Sequence, residues 1–297
     1  MTRRGLLLFV AMCVIWGIPY LFIRVAVGEL APATLVFWRT AVAALILLPI
    51  AVQRGGTPAL LGKWQVLVLF AAVEIGIPWF CLSSAEQQIS SSLAGLLISA
   101  VPLAAMLIAP VLGSRDRMGP ANIAGLVIGL AGVVAIVGFD LRATSLLALA
   151  EIAVVVLGYA LGPVILSRYL ASLPAVSVTA YSLALCAVAY APVAALQWPR
   201  SVPSPEVLAS VAVLSIVCTA LAFLLFFALV AEIGPVRSTV ITYVNPAVAA
   251  VVGVAVLHEK FTIGMGVGFG LVLIGSTLAT RRARRDSQLV IEPLAEP

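Results

Sequence analysis

Apolar residues run through this chain in long blocks, separated by short polar stretches. The blocks show neither the strict alternation of a half-buried strand nor the narrow stripe of a surface helix. A run of about 20 apolar residues is what a helix needs to cross a bilayer. Ten such runs fit, over residues 5–27, 33–52, 65–84, 91–113, 120–138, 144–167, 174–197, 206–231, 236–257 and 262–280. The pattern predicts an all-α membrane protein with ten transmembrane helices. The connections are short and carry Gly, Pro, Ser and charge, as at Gly55-Gly56-Thr57-Pro58 and Pro199-Arg200-Ser201-Val202-Pro203. None has room for a soluble domain. The polar stretch 281–297 is expected to be a disordered cytoplasmic tail.

Composition agrees with the pattern. Of 297 residues, 63% are hydrophobic and 10% charged, whereas ordinary soluble domains carry roughly 25% charged residues. Lipid must therefore be the solvent for most of the surface. The first apolar block follows Thr2-Arg3-Arg4 as a secretory signal would. At 5–27 it is longer than the 7–15 residues of a signal core and lacks a clear cleavage site, so it is expected to stay as the first helix. Cys13, Cys81, Cys186 and Cys218 all lie in apolar runs without a CxxC pair, which reads as buried packing and no metal site.

Charge sets the orientation. Arg3, Arg4, Arg54, Lys63, Arg115, Arg117, Arg168, Arg237, Arg281, Arg282, Arg284 and Arg285 fall on one side, against Arg142, Arg200 and Lys260 on the other. Basic loops stay in the cytoplasm, so both termini are expected there, with the chain in the plasma membrane of a bacterium. The net charge of +5 serves this purpose, and no nucleic-acid partner is expected.

An internal repeat organises the chain. Pro19 and Pro163, Arg24 and Arg168, and Pro102 and Pro246 are each 144 residues apart, and Gly125/Gly132 match Gly268/Gly275 at 143. The expected units are 1–140 and 144–280, of five spans each. Five is odd, so the second unit must enter the membrane upside down. Such inverted repeats are typical of secondary transporters, with a solute site near the midplane.

The residues also resemble a family. Trp16-Gly17, Arg24, Pro32 and Arg39 are similar to the first repeat of EamA-type proteins of the drug/metabolite transporter superfamily. Cys218-Thr219-Ala220-Leu221-Ala222-Phe223, Pro246, Glu259-Lys260-Phe261 and Gly268…Gly275 are similar to the end of its second repeat. The resemblance implies a ten-helix inverted-repeat carrier, often an exporter of amino acids, metabolites or drugs. The family's Gly-Glu after the fourth span is replaced here by Gly113-Ser114-Arg115-Asp116.

Ionisable groups inside spans are costly and mark function by default. Arg24, Arg39, Glu74 and Glu151 are in this position. Arg39 and Glu151 lie at similar depth from the outer side, and Glu74 somewhat deeper. Two readings stand: a fixed ion pair of Arg39 with Glu151 or Glu74, or a charge that binds solute or proton. Arg24, within a turn of its helix end, is expected to snorkel to the interface. Cys13, Trp16, Tyr20 and Arg24 fall on one helical stripe, where Trp16 and Tyr20 offer flat faces to a solute. Ser238, Thr242 and Asn245 share a face before Pro246, and Ser99 stands before Pro102; the two prolines suggest symmetric, cavity-lining bends. The candidate solute-binding set is thus Trp16, Tyr20, Arg39, Glu74, Ser99, Glu151, Tyr159, Thr242, Tyr243 and Asn245.

Gly125-x3-Gly129, Gly264-x3-Gly268 and Gly266-x3-Gly270 would let backbones approach closely, within a monomer or across a homodimer. His258, the sole histidine, is expected at the outer interface. The chain contains no Walker Gly-x4-Gly-Lys-Ser/Thr, no His-Glu-x2-His and no Gly-x-Ser-x-Gly. Transport of a small solute without cofactor, rather than catalysis, is the expected function. A flippase for a lipid or lipid-linked sugar is the first alternative, and an intramembrane enzyme the more distant one.

Overall fold

Helix boundaries follow from where the backbone can be left unpaired. In the computed structural model the described residues are 2–54, 59–60, 62–112, 119–138 and 145–280, with no strand among them. The expected tail, the Gly55–Pro58 turn, Arg142 and the Gly113–Asp116 departure lie outside them. Five helices begin on proline, at Pro19, Pro32, Pro120, Pro205 and Pro235, where a missing N–H costs nothing. Four others start behind a Ser or Thr cap, at Thr2, Ser90, Ser145 and Thr262, and Ser204 caps the helix that begins on Pro205; each cap accepts from a backbone N–H of the first turn.

We number the helices α1 (Arg3–Ile15), α2 (Pro19–Ala26), α3 (Pro32–Arg54), α4 (Trp64–Ala85), α5 (Ser91–Ile98), α6 (Val101–Ile108) and α7 (Pro120–Gly138). The second half holds α8 (Leu146–Leu170), α9 (Ala175–Leu196), α10 (Pro205–Ile233), α11 (Pro235–Ser238), α12 (Ile241–Leu257) and α13 (Ile263–Ala279). Counting α1 with α2 and α5 with α6, eight helical stretches are long and apolar enough to cross a membrane. The remaining two, α12 and α13, are apolar helices of 17 residues.

Pairing is reciprocal between the halves. The most extensive contacts join α7 to α13 and α3 to α9; α4 packs on α8, α5 on α12, and α1–α2 on α10. The α7–α13 seam explains the glycines. A Cβ on Gly132 would lie 2.6 Å from the Gly268 carbonyl oxygen, and one on Gly125 would lie 2.7 Å from that of Gly275. Backbone meets backbone there, as small residues permit. Asn122 fastens the same seam, its Nδ2 donating to the Ala279 carbonyl at 2.7 Å. Gly266 and Gly270 have no neighbouring helix to meet.

Three breaks interrupt the bundle. The first lies at Trp16-Gly17-Ile18, between α1 and α2. There Gly17 N donates to the Val14 carbonyl at 2.9 Å instead of continuing the helix to Cys13. The second, at Ser99-Ala100, precedes Pro102 as expected. The third, at Thr239-Val240, lies before α12, which continues through Pro246. The two prolines therefore do not mark equivalent bends: the chain turns at Ser99-Ala100, just before Pro102, and is helical on both sides of Pro246.

Candidate functional site

A guanidinium is protonated under any accessible condition and cannot shed its charge when buried. Arg39 of α3 is 7% exposed, so its surroundings must support the cation. Its Nε donates to Thr219 Oγ1 at 3.0 Å, and its guanidinium carbon lies 3.6 Å from the centroid of the Trp79 ring. Tyr20, Tyr159, Cys218 and Glu86 lie within electrostatic range. Among the described residues the one ion pair is Arg4–Glu232, at 3.9 Å, near the start of the chain. The expected pair of Arg39 with Glu151 or Glu74 is thus absent. Tyr159, two turns further along α8 than Glu151, lies within electrostatic range of Arg39.

Two widened turns present this group. Residues Ala71–Gly76 of α4 and Val213–Leu221 of α10 are π-helical. An offset of 144 carries the first segment onto 215–220, inside the second. Such turns recur at functional sites because they rotate side chains out of the α register. In α10 the Thr219 hydroxyl donates to the Leu214 carbonyl five residues back, at 2.7 Å, which leaves its lone pairs for Arg39. In α4 the turn carries Glu74, whose Oε2 is enclosed without a hydrogen-bond partner. Gly162 of α8 makes room for that carboxylate, since a Cβ there would collide with it. The Tyr159 hydroxyl lies against the Trp79 indole and within electrostatic reach of both Arg39 and Glu74.

The other candidates divide. Tyr20 is buried and within range of Arg39. Trp16 packs on Phe226 and Phe223, with ring centroids 4.8 and 5.9 Å away. Asn245, with its amide nitrogen facing inward, donates to the carbonyls of Cys13 at 3.1 Å and Ile241 at 2.9 Å. The Cys13 carbonyl is the one released by the break at Gly17, so Asn245 repairs that break. Glu151 faces Cys81 across the α4–α8 contact, with Oε2 enclosed and unpartnered. Ser99 is buried and bonded to the Leu96 carbonyl. Thr242 is exposed and bonded to the Thr239 carbonyl, and Tyr243 beside it is half-buried. Among the described residues, neither hydrogen-bonds to the Arg39 group.

Sequence reasoning missed Trp79, Thr219 and Glu86. Trp79 is the one indole inside the third apolar block, and a search for aromatic faces to balance Arg39 would have found it. Glu86 fell in an expected loop, yet its side chain is fully buried. It caps α4, and its main-chain carbonyl accepts from Arg24. Arg24 therefore reaches across to the end of α4. Beside it a cavity of about 410 Å³ is lined by Arg24, Gln88, Ser90 and Glu259 among others. His258 is exposed and ends α12 in a left-handed conformation.

The sequence profile of the EamA-like transporter family matches the chain twice, over residues 3–138 and 146–281. This chain belongs to the EamA-like transporter family. A curated relative, an uncharacterized transporter of Archaeoglobus fulgidus, is 24% identical over 289 residues, which is 95% of this chain and 99% of the relative. A solved structure, described only as the crystal structure of a protein, superposes with a TM-score of 0.67. It is 22% identical and the match covers 94% of this chain and 97% of that one, a likeness of fold. As an EamA-like protein with several apolar spans, the chain is a multi-pass membrane transporter.

Proposed function

We propose that this transporter moves a small amino acid-like or drug-like solute bearing a carboxylate across the bacterial plasma membrane, in the direction of export. The observation that carries the proposal is Arg39. It is a permanent charge in the bundle, held by a ring face and a hydroxyl that support it without cancelling it. An aromatic face stabilises a cation by about 0.5–2 kcal/mol. That is well short of the several kcal/mol an ion loses on burial. A solute carboxylate supplies the remainder. Trp79, Tyr20 and Tyr159 offer aromatic surface to the rest of the solute, and we place Glu74 opposite an amino or other cationic group. We also assign Trp16, in the α1–α2 break, and Asn245, in α12, to the border of that space.

Alternating access of two inverted five-helix halves is the mechanism we propose, with both termini cytoplasmic. It is supported by the two profile matches, the π-helical turns at equivalent positions and the reciprocal helix pairing. The breaks at Gly17, Ala100 and Val240 give discontinuous helices of the kind that serve solute sites in such carriers. Orientation rests on the distribution of Lys and Arg, and α12 and α13 supply the last two crossings.

The test is uptake into proteoliposomes of matched pairs, an amino acid and its amide among them. Acids should be carried at least tenfold faster than amides, and Arg39→Met should abolish the preference. Equal rates for acid and amide in the parent protein would overturn the proposal. Scrambling of a fluorescent phospholipid in the same vesicles would favour a flippase.

A further inference from the structure

Glu86 is a group that the Arg39 site does not use. Its side chain is 0% exposed, and neither carboxyl oxygen has a hydrogen-bond partner among the described residues. The charged and titratable groups facing it come from four elements. Arg24 and Tyr20 belong to α2, Arg39 to α3, Tyr159 to α8, and Glu259 to the connection between α12 and α13. Arg24 donates to the main-chain carbonyl of Glu86, not to its carboxyl group. A carboxylate buried without donors is far costlier than the neutral acid.

Glu259, unlike Glu86, is supplied with donors. Its oxygens accept from Ser91 N at 2.8 Å, Ser92 N at 2.9 Å and Ser92 Oγ at 2.5 Å. Among the described residues Glu86 has no such donors, and a carboxyl group buried without them holds its proton. Burial first and the Glu259 charge second hold Glu86 well above the usual carboxylate range, against the opposing pull of Arg24 and Arg39.

The bonds from Glu259 to Ser91 and Ser92 also join the two halves of the chain, 168 and 167 residues apart, beside the polar cavity. We infer that Glu86 is a proton-binding site coupled to this seam: it holds a proton while Glu259 is docked on Ser91 and Ser92, and releases it to outside water when the seam parts. The inference rests on the reading that the carrier opens on this side. One O–H bond is broken on opening, the electron pair stays on the carboxylate, and the proton leaves to water. Since the closed state has the higher pKa, closure is fully favoured at low pH. The preference for closure is lost as pH rises through the value held in the closed state.

The test is labelling of Ser91→Cys by a membrane-impermeant maleimide, with the background of the parent chain subtracted. Ser91 is fully buried, so reaction requires the seam to open. Rates are divided by those of Val202→Cys, 86% exposed, to remove the ordinary pH dependence of thiols. The ratio should rise with pH by up to about tenfold per unit. In Glu86→Gln, a permanent mimic of the protonated acid, it should stay low and flat. Glu86→Asp should keep the rise with a displaced midpoint, which covers the case in which Glu86→Gln does not fold. A flat ratio in the parent, a rise in Glu86→Gln like that of the parent, or a midpoint unmoved in Glu86→Asp would each overturn the inference. No solute is needed, so failure of the carboxylate preference leaves this result standing. Transport without labelling at any pH would instead overturn the inference alone.

Discussion

The guanidinium carbon of Arg39 lies 3.6 Å from the centroid of the Trp79 ring, and this contact joins α3 to α4 without a carboxylate between them. The charge is supported by the negative face of the ring and one hydroxyl oxygen. In an ion pair, each partner would be satisfied and the site would be closed to a solute. Here the cation is positioned and left uncancelled.

The first prediction follows from that difference. Arg39→Lys keeps the charge but loses the planar group that lies over Trp79 and the Nε donor to Thr219. Transport of a carboxylated solute should fall at least tenfold in proteoliposomes, with the melting temperature in detergent nearly unchanged. Arg39→Ala should be no more stable when combined with Glu151→Gln or Glu74→Gln. A rescue by either would restore the ion pair that the geometry lacks.

Asn245 gives a second. Its amide nitrogen serves the Cys13 carbonyl, which the break at Gly17 leaves without its helical donor. Asn245→Leu buries that carbonyl unpaired and should destabilise the protein by about 1–3 kcal/mol. Thermal unfolding in detergent measures it. Thr242→Ala, at an exposed position bonded within its own turn, is the control and should stay within about 0.5 kcal/mol.

A third concerns the α7–α13 seam. A Cβ on Gly132 meets the Gly268 carbonyl oxygen at 2.6 Å, and backbone cannot move aside as a flexible side chain can. Gly132→Ala should cost about 1–3 kcal/mol through overpacking. Gly270→Ala, with nothing within 4 Å, should be neutral or slightly stabilising, since Gly is a poorer helix former. Monodispersity and melting temperature of the two variants provide the comparison.

Glu29 predicts a pH effect at the loop before α3. Ser204 donates its main-chain N–H to Glu29 Oε2 at 2.8 Å. The Ser204 side chain and this N–H together hold the Glu29 carboxyl below its ordinary range. The sign follows: a depressed pKa stabilises the contact above the ordinary carboxylate value of about 4.3. The contribution is lost as pH falls through the lower value. Glu29→Gln should remove the acid sensitivity of this contact, read as exchange of the Ser204 amide. Equal exchange in parent and variant at all pH values would show that the bond contributes nothing.

How far each feature was legible depends on its physical range. Long apolar blocks are local, and they marked most helix ends to within a few residues. The shared offset of Pro19/Pro163 and Arg24/Arg168 pointed to two related halves, because a repeat is written along the chain. The glycines of α7 and α13 announced a close approach without naming the partner. What the tertiary structure decided was which buried groups meet. Arg39 and Glu151 stand at similar depth when counted from their helix ends. Depth does not fix rotation or the neighbouring helix, and Arg39 turned to Trp79, Thr219 and Tyr159 instead. Asn245, read as a solute contact, was drawn to a carbonyl whose release required the α1–α2 break. Glu86 looked like a loop residue because exposure is not a property of sequence position. Only the convergence of α2, α3, α8 and the Glu259 connection enclosed it.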